Sequence, residues 1–147
     1  MEARLEAGLT LVAEQPACIR ADFSHVGGAS FVITRDERGE ACIFDLSKPA
    51  VFTEIISNRA LQIRGNHVHM NCEESFNILA GKLELYLLCD CGDKHVYYRT
   101  LEQGDAVRIA PGIAHAIFTL EETQFAAFFD ADPRSDRQRV PVLVFPN

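Results

Sequence analysis

The sequence predicts an all-β fold, a sandwich or a barrel, and three observations support this prediction. Apolar and polar residues alternate along most of the chain, which is the period of two that half-buried strands show. Turn signals such as Gly39, Gly81 and the pair Pro111–Gly112 recur about every eight to twelve residues. After residue 30, no segment carries the 3.6-residue apolar stripe of an amphipathic helix.

The length of 147 residues predicts a single domain, 1–147, because it suffices for one core but not for two ordinary domains. We expect a barrel core over about 30–130, an N-terminal arm over 1–29 and a C-terminal tail over 131–147. The first fifteen residues are expected to form a short helix, or an arm that pairs with another subunit. Gly8 weakens the helix alternative.

The predicted strands follow one another along the core. They are 31–34, 40–46, 52–57, 61–70, 75–80, 82–89, 95–101, 106–110, 115–120 and 123–129. Gly39 ends the first hairpin turn and Gly81 a later tight reversal, since glycine adopts positive φ freely. The apolar tail "VPVLVFPN" contains two prolines, so we expect it to pack along a sheet edge, of this chain or a partner.

Composition excludes several classes of partner. A net charge of −7 without any run of basic residues argues against a nucleic-acid polymer as partner. No apolar run approaches the ~20 residues of a membrane span, and the N-terminus lacks the order of a signal peptide. The odd set of cysteines shows no disulfide spacing and suggests a reducing compartment, so we expect a cytoplasmic protein: Cys18, Cys42, Cys72, Cys89 and Cys91.

The stretch "RGNHVHMNCEESFNILAG" (64–81) contains the most informative pattern. His67 and His69 would point roughly 200° apart on a helix, but on a strand they share one face. The alternation around them favours a strand, so both imidazoles should project together while Val68 faces the opposite way. This spacing predicts two ligands of a metal site.

A carboxylate follows across a short polar turn. Glu74 opens the next predicted strand, where it shares a face with Phe76 and Ile78, and it can join the imidazoles if the two strands are neighbours. Glu73 is the rival ligand. We prefer Glu74 because its face is apolar, which leaves Glu73 in the turn.

A third histidine completes the predicted ligand set. The segment "GDAVRIAPGIAH" reads as a turn, a strand, a second turn and then His115 at the start of another strand. Three imidazoles and one carboxylate suit a divalent metal such as Zn, Fe, Mn or Ni. The alternative is a metal-free site in which the same side chains bind a ligand directly.

These segments together resemble the two motifs of the cupin superfamily. His67, His69, Glu74 and Gly81 fit the first motif, although Leu61 replaces its leading glycine. Gly104, Gly112 and His115 fit the second motif, in which Ala110 replaces the proline and Thr119 the asparagine. The resemblance implies the double-stranded β-helix, or jelly-roll barrel, of that superfamily.

The finer resemblance is to small cupins of nucleotide-sugar metabolism, relatives of dTDP-4-dehydrorhamnose 3,5-epimerase and the sugar 3,4-ketoisomerases. It is carried by residues 64–70, 73–76 and 104–116. It implies proton abstraction beside a sugar ketone and an enolate intermediate. Those enzymes lack the complete ligand set and keep a histidine of the H-x-H region as base. Here Glu74 and His115 complete the set, so the base role is not carried over, and a metal could stabilise the enolate.

The sequence leaves the catalytic residues unknown and offers three candidates. Arg64 precedes the histidines and is either a carboxylate or phosphate ligand or a surface charge. Tyr86 and Tyr97 lie on strands, where packing is the alternative role.

Three functions are compatible with these features. The first is a sugar or nucleotide-sugar epimerase or isomerase of carbohydrate (polysaccharide) biosynthesis, the second a metal-dependent dioxygenase, and the third a non-catalytic cupin that binds a small molecule or sugar. We rank the first only slightly above the third. The expected partners are a small-molecule ligand, such as a sugar nucleotide, and a second copy in a homodimer, in which the arm and tail cover exposed sheet edges.

Overall fold

The computed structural model describes residues 3–27, 31–44, 46, 48–91 and 93–144 and contains only strands and irregular structure there. Those ranges hold no helix that is long and apolar enough to cross a membrane. The all-β prediction is confirmed, whereas the helix alternative for the N-terminus is wrong over the described residues. The strands are β1 Arg4–Leu5, β2 Thr10–Val12, β3 Ala21–Asp22, β4 Phe31–Asp36, β5 Gly39–Phe44, β6 Phe52–Asn58, β7 Ile63–His69, β8 Glu74–Ala80, β9 Lys82–Cys91, β10 Asp93–Glu102, β11 Ala106–Ile109, β12 Ala114–Thr119, β13 Thr123–Phe129, β14 Arg137–Arg139 and β15 Leu143–Val144.

Two sheets form the body of the jelly roll. One has six strands in the order β14-β7-β12-β9-β10-β2, and the other has five in the order β3-β11-β8-β13-β6. The pairs are antiparallel except β2 with β10, which run parallel. Because neighbours such as β7 and β12 are far apart in sequence, most of the fold depends on long-range pairing.

The main core fills the space between the two sheets. Leu85 and Leu87 of β9 face Ile78 of β8 and Phe125 of β13 in one buried cluster. Each of these side chains contributes about 1.5–3 kcal/mol when it leaves water. This packing fixes the distance between the sheets, and with it the position of any side chain that projects between them.

A second apolar layer covers the outer face of the six-stranded sheet. Val68, Ala116 and Phe118 point outward and pack with Val142 and Leu143 of the tail. β15 pairs with β1, so the arm and the tail lie against their own chain, as the edge-packing prediction allowed. Residues 145–147 lie outside the described residues, and the homodimer stays a prediction.

The expectation that the cysteines form no disulfide is wrong. Cys18 and Cys89 are joined by a disulfide, with their Cα atoms 5.9 Å apart and a sequence separation of 71 positions. The bond ties the segment before β3 to the middle of the six-stranded sheet. No local spacing signals a pair this distant. The cysteines therefore give no support for the cytoplasmic location, which stays a prediction.

The turn before β7 explains two departures from the cupin motifs. Leu61 adopts a positive φ of 58°, the conformation that the motif's glycine would take without strain. Thr119, which replaces the motif's asparagine, donates to Arg59 O at 2.7 Å and accepts from Gln62 N at 2.9 Å. The two hydrogen bonds of the Thr119 hydroxyl therefore connect this turn to β12.

Gly81 is required at the reversal between β8 and β9. Its φ is +82°, and a β-carbon there would overlap Glu122 O and lie 2.8 Å from Thr123 Cγ2. Gly104 has a φ of +95° but nothing within 4 Å of the corresponding position. A comparison of alanine substitutions at the two positions therefore separates the free-energy cost of the left-handed backbone from that of the steric overlap.

We expect Gly81→Ala to lower the free energy of unfolding by about 2–4 kcal/mol, from left-handed strain plus overpacking. Gly104→Ala, the matched control, should cost only about 1 kcal/mol because it carries the strain alone. Urea denaturation followed by circular dichroism measures both values. Equal losses in the two variants would contradict the clash.

Candidate metal centre

Strand β7 presents both histidines of the H-x-H pair to the interior. The ring centroids of His67 and His69 are 4.7 Å apart, and the ring of His69 contacts Phe129 of the opposite sheet. Val68 between them packs in the outer layer. The strand geometry thus places the two imidazoles on one face.

A β-bulge interrupts β7 just before these histidines. His115 of β12 is opposite His67, but the next residue, Ala116, is opposite Gly65, so one residue of β7 is extra. Gly65 and Asn66 both have positive φ, 88° and 54°, and Asn66 Oδ1 accepts from Val142 N and Leu143 N. The bulge reverses the alternation upstream of it.

The bulge decides where Arg64 points. Arg64 lies three positions before His67, so an unbroken strand would place the two side chains on opposite faces. In the structure Arg64 is opposite Ile117, an interior residue, and it lines the same cavity as His67. Its Nε donates to Asn58 Oδ1.

The neighbouring strand of the same sheet contributes the third histidine. His115 is the cross-strand partner of His67, and their ring centroids are 4.8 Å apart. The ring of His115 also contacts Phe76 on the opposite sheet, with 5.8 Å between centroids. It is 2 % exposed and has no freedom to leave the interior.

Glu74 reaches the histidines from the other sheet. The sequence predicts that Glu74 joins the histidines if β7 and β8 are neighbouring strands. The two strands belong to different sheets, and the carboxylate faces the imidazoles across the core. Its Oε2 lies 2.9 Å from His115 Nε2 and 4.0 Å from His69 Nε2. Glu73 points elsewhere, to Lys48 at 3.2 Å and Arg108 at 3.3 Å.

Four potential ligand atoms converge in this place. One atom from each of His67, His69, Glu74 and His115 lies within 4.8 Å of the other three. Nε2 of His69, Nε2 of His115 and Oε2 of Glu74 are buried without a well-formed hydrogen bond to any described residue. Buried polar atoms in that state are destabilising unless another partner binds them.

The other ring nitrogens are held by the surrounding protein. His69 Nδ1 lies 3.1 Å from Asp136 Oδ1, and His115 Nδ1 lies 3.1 Å from Ile113 O. A carboxylate and a carbonyl only accept, so both Nδ1 atoms carry the proton in the neutral rings and the lone pairs are on Nε2. This is the arrangement by which proteins orient metal-binding histidines.

Asp136 is well suited to this orienting role. Its Oδ2 accepts from Asn71 N at 2.7 Å, and its side chain is only 5 % exposed. Burial opposes ionisation, but the hydrogen bonds from Asn71 and His69 hold the pKa of Asp136 below its ordinary value. The carboxylate therefore stays charged beside His69.

His69, Cys72 and Asp136 form a second group with convergent ligand atoms. Burial, together with the nearby charge of Asp136, raises the pKa of Cys72 to about 12. In the metal-free protein the thiol therefore stays protonated at neutral pH, and it lies 3.8 Å from Asp136 Oδ1 as a donor. We interpret this group as support for His69 rather than as a separate metal site.

The two remaining histidines differ in protonation. Burial and the neighbouring His115 and His69 lower the pKa of His67 to about 3, so its lone pair is available at neutral pH. Burial is the largest influence on His115 and disfavours its charge, but the charge of Glu74 and the hydrogen bonds to Glu74 and Ile113 O together outweigh burial and raise the pKa of His115. In the absence of a metal, His115 and Glu74 can share a proton.

A cavity of about 340 Å³ opens onto this cluster. Its lining includes the candidate Arg64. The described lining residues do not include the other two candidates: Tyr86 packs in the outer layer, and Tyr97 lies in the core, with its ring 5.5 Å from that of Phe23. Burial and the adjacent Glu84 also raise the pKa of Tyr86.

The sequence analysis missed four residues around the cluster. Asp136 contacts His69, while Glu54, Arg137 and Arg139 line the cavity. Arg137 and Arg139 stand in an R-x-R alternation within the predicted C-terminal tail, which is the pattern of a strand with one charged face. The signal was too short to distinguish from a loop.

Comparison with known proteins confirms the predicted superfamily. The model of the family described as Cupin matches residues 45–143 of the 147, and the chain belongs to this family. No curated protein matches the sequence.

Several solved structures with a similar fold are sugar ketoisomerases or epimerases, the enzymes whose motifs this sequence resembles. QdtA, a sugar 3,4-ketoisomerase from Thermoanaerobacterium thermosaccharolyticum in complex with TDP, has a TM-score of 0.63 at 13 % identity, over 85 % of this chain and 90 % of that one. A 3,4-ketoisomerase from Helicobacter canadensis has a TM-score of 0.60 at 16 % identity, over 76 % and 87 %. The rmlC epimerase of Mycobacterium tuberculosis has a TM-score of 0.59 at 13 % identity, over 75 % and 66 %.

We expect Asn66→Ala to lower the free energy of unfolding by about 2–3 kcal/mol. The change leaves two backbone N–H groups of the tail unsatisfied and places alanine at positive φ. Asn66→Asp keeps the accepting oxygen and should lose less than half as much. Chemical denaturation of the three proteins measures the difference, and equal losses for both variants would disprove a capping role for Oδ1.

Proposed function

We propose that this cupin binds a divalent metal through His67, His69, Glu74 and His115 and isomerises or epimerises a sugar or nucleotide sugar. The observation that carries the metal is the convergence of three buried atoms that make no well-formed hydrogen bond to a described residue: His69 Nε2, Glu74 Oε2 and His115 Nε2. They point to a common place, where His67 joins them.

The donor set fits a transition metal better than calcium or magnesium. Imidazole nitrogen suits Zn, Fe, Ni and Mn, whereas Mg²⁺ and Ca²⁺ prefer sites made of oxygen. Four protein ligands leave open positions on an octahedral ion, which is the condition for chemistry at the metal. When bound, such an ion supplies Lewis acidity that polarises a carbonyl group.

The chain supplies other groups for the reaction. Arg64 lines the cavity and can donate to a substrate oxygen through its remaining guanidinium N–H groups. Among the described residues that line the cavity, Glu54 is the only carboxylate outside the group of potential metal ligands. We assign it proton transfer: it takes a proton from the carbon beside the ketone and returns a proton during isomerisation.

The reaction class is supported by two independent sources. The motif segments 64–70, 73–76 and 104–116 resemble those of sugar epimerases and ketoisomerases. Several solved structures with this fold are described as 3,4-ketoisomerases; two of them hold TDP and another holds TDP-4-keto-6-deoxyglucose. The cavity of about 340 Å³ also has the size of a small-molecule site.

Elemental analysis of tag-free protein tests the metal centre. We expect stoichiometric transition metal in the wild type and its loss in His67→Ala and Glu74→Gln, because each removes one donor of the set. His25→Ala removes a histidine outside the cluster and should keep the metal. A wild type that remains metal-free after reconstitution would contradict the proposal, and His67 would then be the candidate base.

Asp136→Asn should weaken metal affinity by about 10–100-fold without abolishing it, because it removes the charged partner of His69 Nδ1. Competition with a chelator measures the affinity. Asp132→Asn is the matched control, since Asp132 is paired with Arg134 at 2.9 Å rather than with a cluster residue. An unchanged affinity in Asp136→Asn would rule out the orienting role.

Solvent-deuterium exchange tests the reaction class. Incubation of metal-loaded protein with TDP-4-keto-6-deoxyglucose in D₂O should incorporate deuterium beside the ketone. Glu54→Gln should slow the exchange by about 100-fold or more, because it removes the proton acceptor. Oxygen consumption by the iron-loaded protein without exchange would favour the dioxygenase. Binding without either reaction would favour the non-catalytic cupin.

A further inference from the structure

We propose that Arg137 and Arg139, together with Arg64, form a binding site for an anionic group of the ligand, a phosphate or a carboxylate. This inference rests on the proposed function, because it names the chemical class of the molecule that reaches the metal centre. The three guanidinium groups come from two neighbouring strands and line the cavity that opens onto the cluster.

Strand register brings the two arginines of β14 next to the histidines. Arg137 is the cross-strand partner of His69, and Arg139 is that of His67. Directly opposed residues of an antiparallel pair project to the same side of the sheet. Both arginines therefore project to the interior side, and both line the cavity.

The arginines at the cavity are poorly neutralised by the protein itself. Arg137 Nη2 is 3.5 Å from Glu54 Oε1, at the long end of an ion pair. Over the described residues, neither Arg64 nor Arg139 has a carboxylate within the 4.0 Å of an ion pair, by contrast with Arg134, which binds Asp132 at 2.9 Å.

The positive charge of these three arginines contrasts with the negative net charge of the whole chain. The protein has a net charge of −7, so an anionic ligand is repelled on average as it approaches. Guanidinium groups bind carboxylate and phosphate through paired N–H donors in a fixed planar geometry. A local cluster of three such groups selects an anion and places it at the mouth, with the ligand's other end toward His67.

Arg137 and Arg139 lie at the exposed side of the cavity, whereas His69, Glu74 and His115 are buried. The cavity therefore has a cationic entrance, and the potential metal ligands lie at its interior end. A molecule that carries its charge at one end and a carbonyl group at the other matches this polarity.

Isothermal titration calorimetry with defined probes tests the site. Glucose 1-phosphate, glucuronate and TDP represent a monophosphate, a carboxylate and a nucleotide diphosphate, and neutral glucose is the uncharged control. We expect at least one anion to bind the wild type more tightly than glucose does. The double variant Arg137→Gln, Arg139→Gln should weaken that binding by about tenfold or more, because each charge-assisted contact is strong.

The matched control is Arg134→Gln. Arg134 lies in the same segment but is paired with Asp132 and packs over the ring of Phe52, so its loss should leave anion binding unchanged. Circular dichroism verifies that the variants fold. The backbone pairing of β14 with β7 does not depend on the substituted side chains. The probe that binds best identifies the anionic group.

The outcomes separate this site from the metal centre. All titrations are repeated on chelator-treated protein whose metal content has been measured. Anion binding that disappears with the metal, or that survives the double variant, would overturn the arginine site even if the metal and the isomerase activity are found. Anion binding that depends on the arginines in metal-free, inactive protein would support the site while the proposed function fails. Failure of every anion to bind the wild type would also overturn it.

Discussion

The need of buried polar atoms for a partner is the constraint on which this structure depends. Nε2 of His69, Nε2 of His115 and Oε2 of Glu74 lie in an otherwise apolar core. A proton shared by His115 Nε2 and Glu74 Oε2, which lie 2.9 Å apart, can pair two of these atoms but leaves His69 Nε2 without a partner among the described residues. A buried polar atom without a partner costs about 1–3 kcal/mol, so the cluster needs a compensating interaction. Asp136 and Ile113 O hold the opposite ring nitrogens and prevent the imidazoles from turning away. The proposed divalent cation would satisfy all three atoms at once.

The core packing makes this arrangement rigid. The ligands come from both sheets, and aromatic side chains of the five-stranded sheet contact the histidines: Phe129 lies 5.5 Å from His69 and Phe76 lies 5.8 Å from His115, between ring centroids. The spacing of the sheets thus sets the distance from the carboxylate to the imidazoles. Sites that are held by packed strands in this way are positioned more accurately than sites on loops.

Strand β7 carries features of both the proposed metal centre and the proposed anion site. The bulge at Gly65 and Asn66 turns Arg64 inward, while the tail that Asn66 Oδ1 holds continues from β14, where Arg137 and Arg139 lie. The cavity therefore joins a cationic entrance to a buried cluster of donors. In the proposed function, the arginines would bind the charged end of a molecule while its other end reached the buried cluster.

The sequence alone determined the ten strands between residues 31 and 129 and the pairing of His67 with His69 on one face, because alternation is a local property of the extended chain. It did not indicate the short strands of the arm and the tail. It also indicated Glu74 and His115, through motifs that combine turns with chemistry-bearing residues. Only the tertiary structure decided that Glu74 approaches from the other sheet, that a bulge turns Arg64 inward, and that a distant tail supplies Asp136, Arg137 and Arg139. Cys18 and Cys89 meet for the same reason. These outcomes depend on register and on contacts between residues far apart in sequence, and no local pattern encodes them.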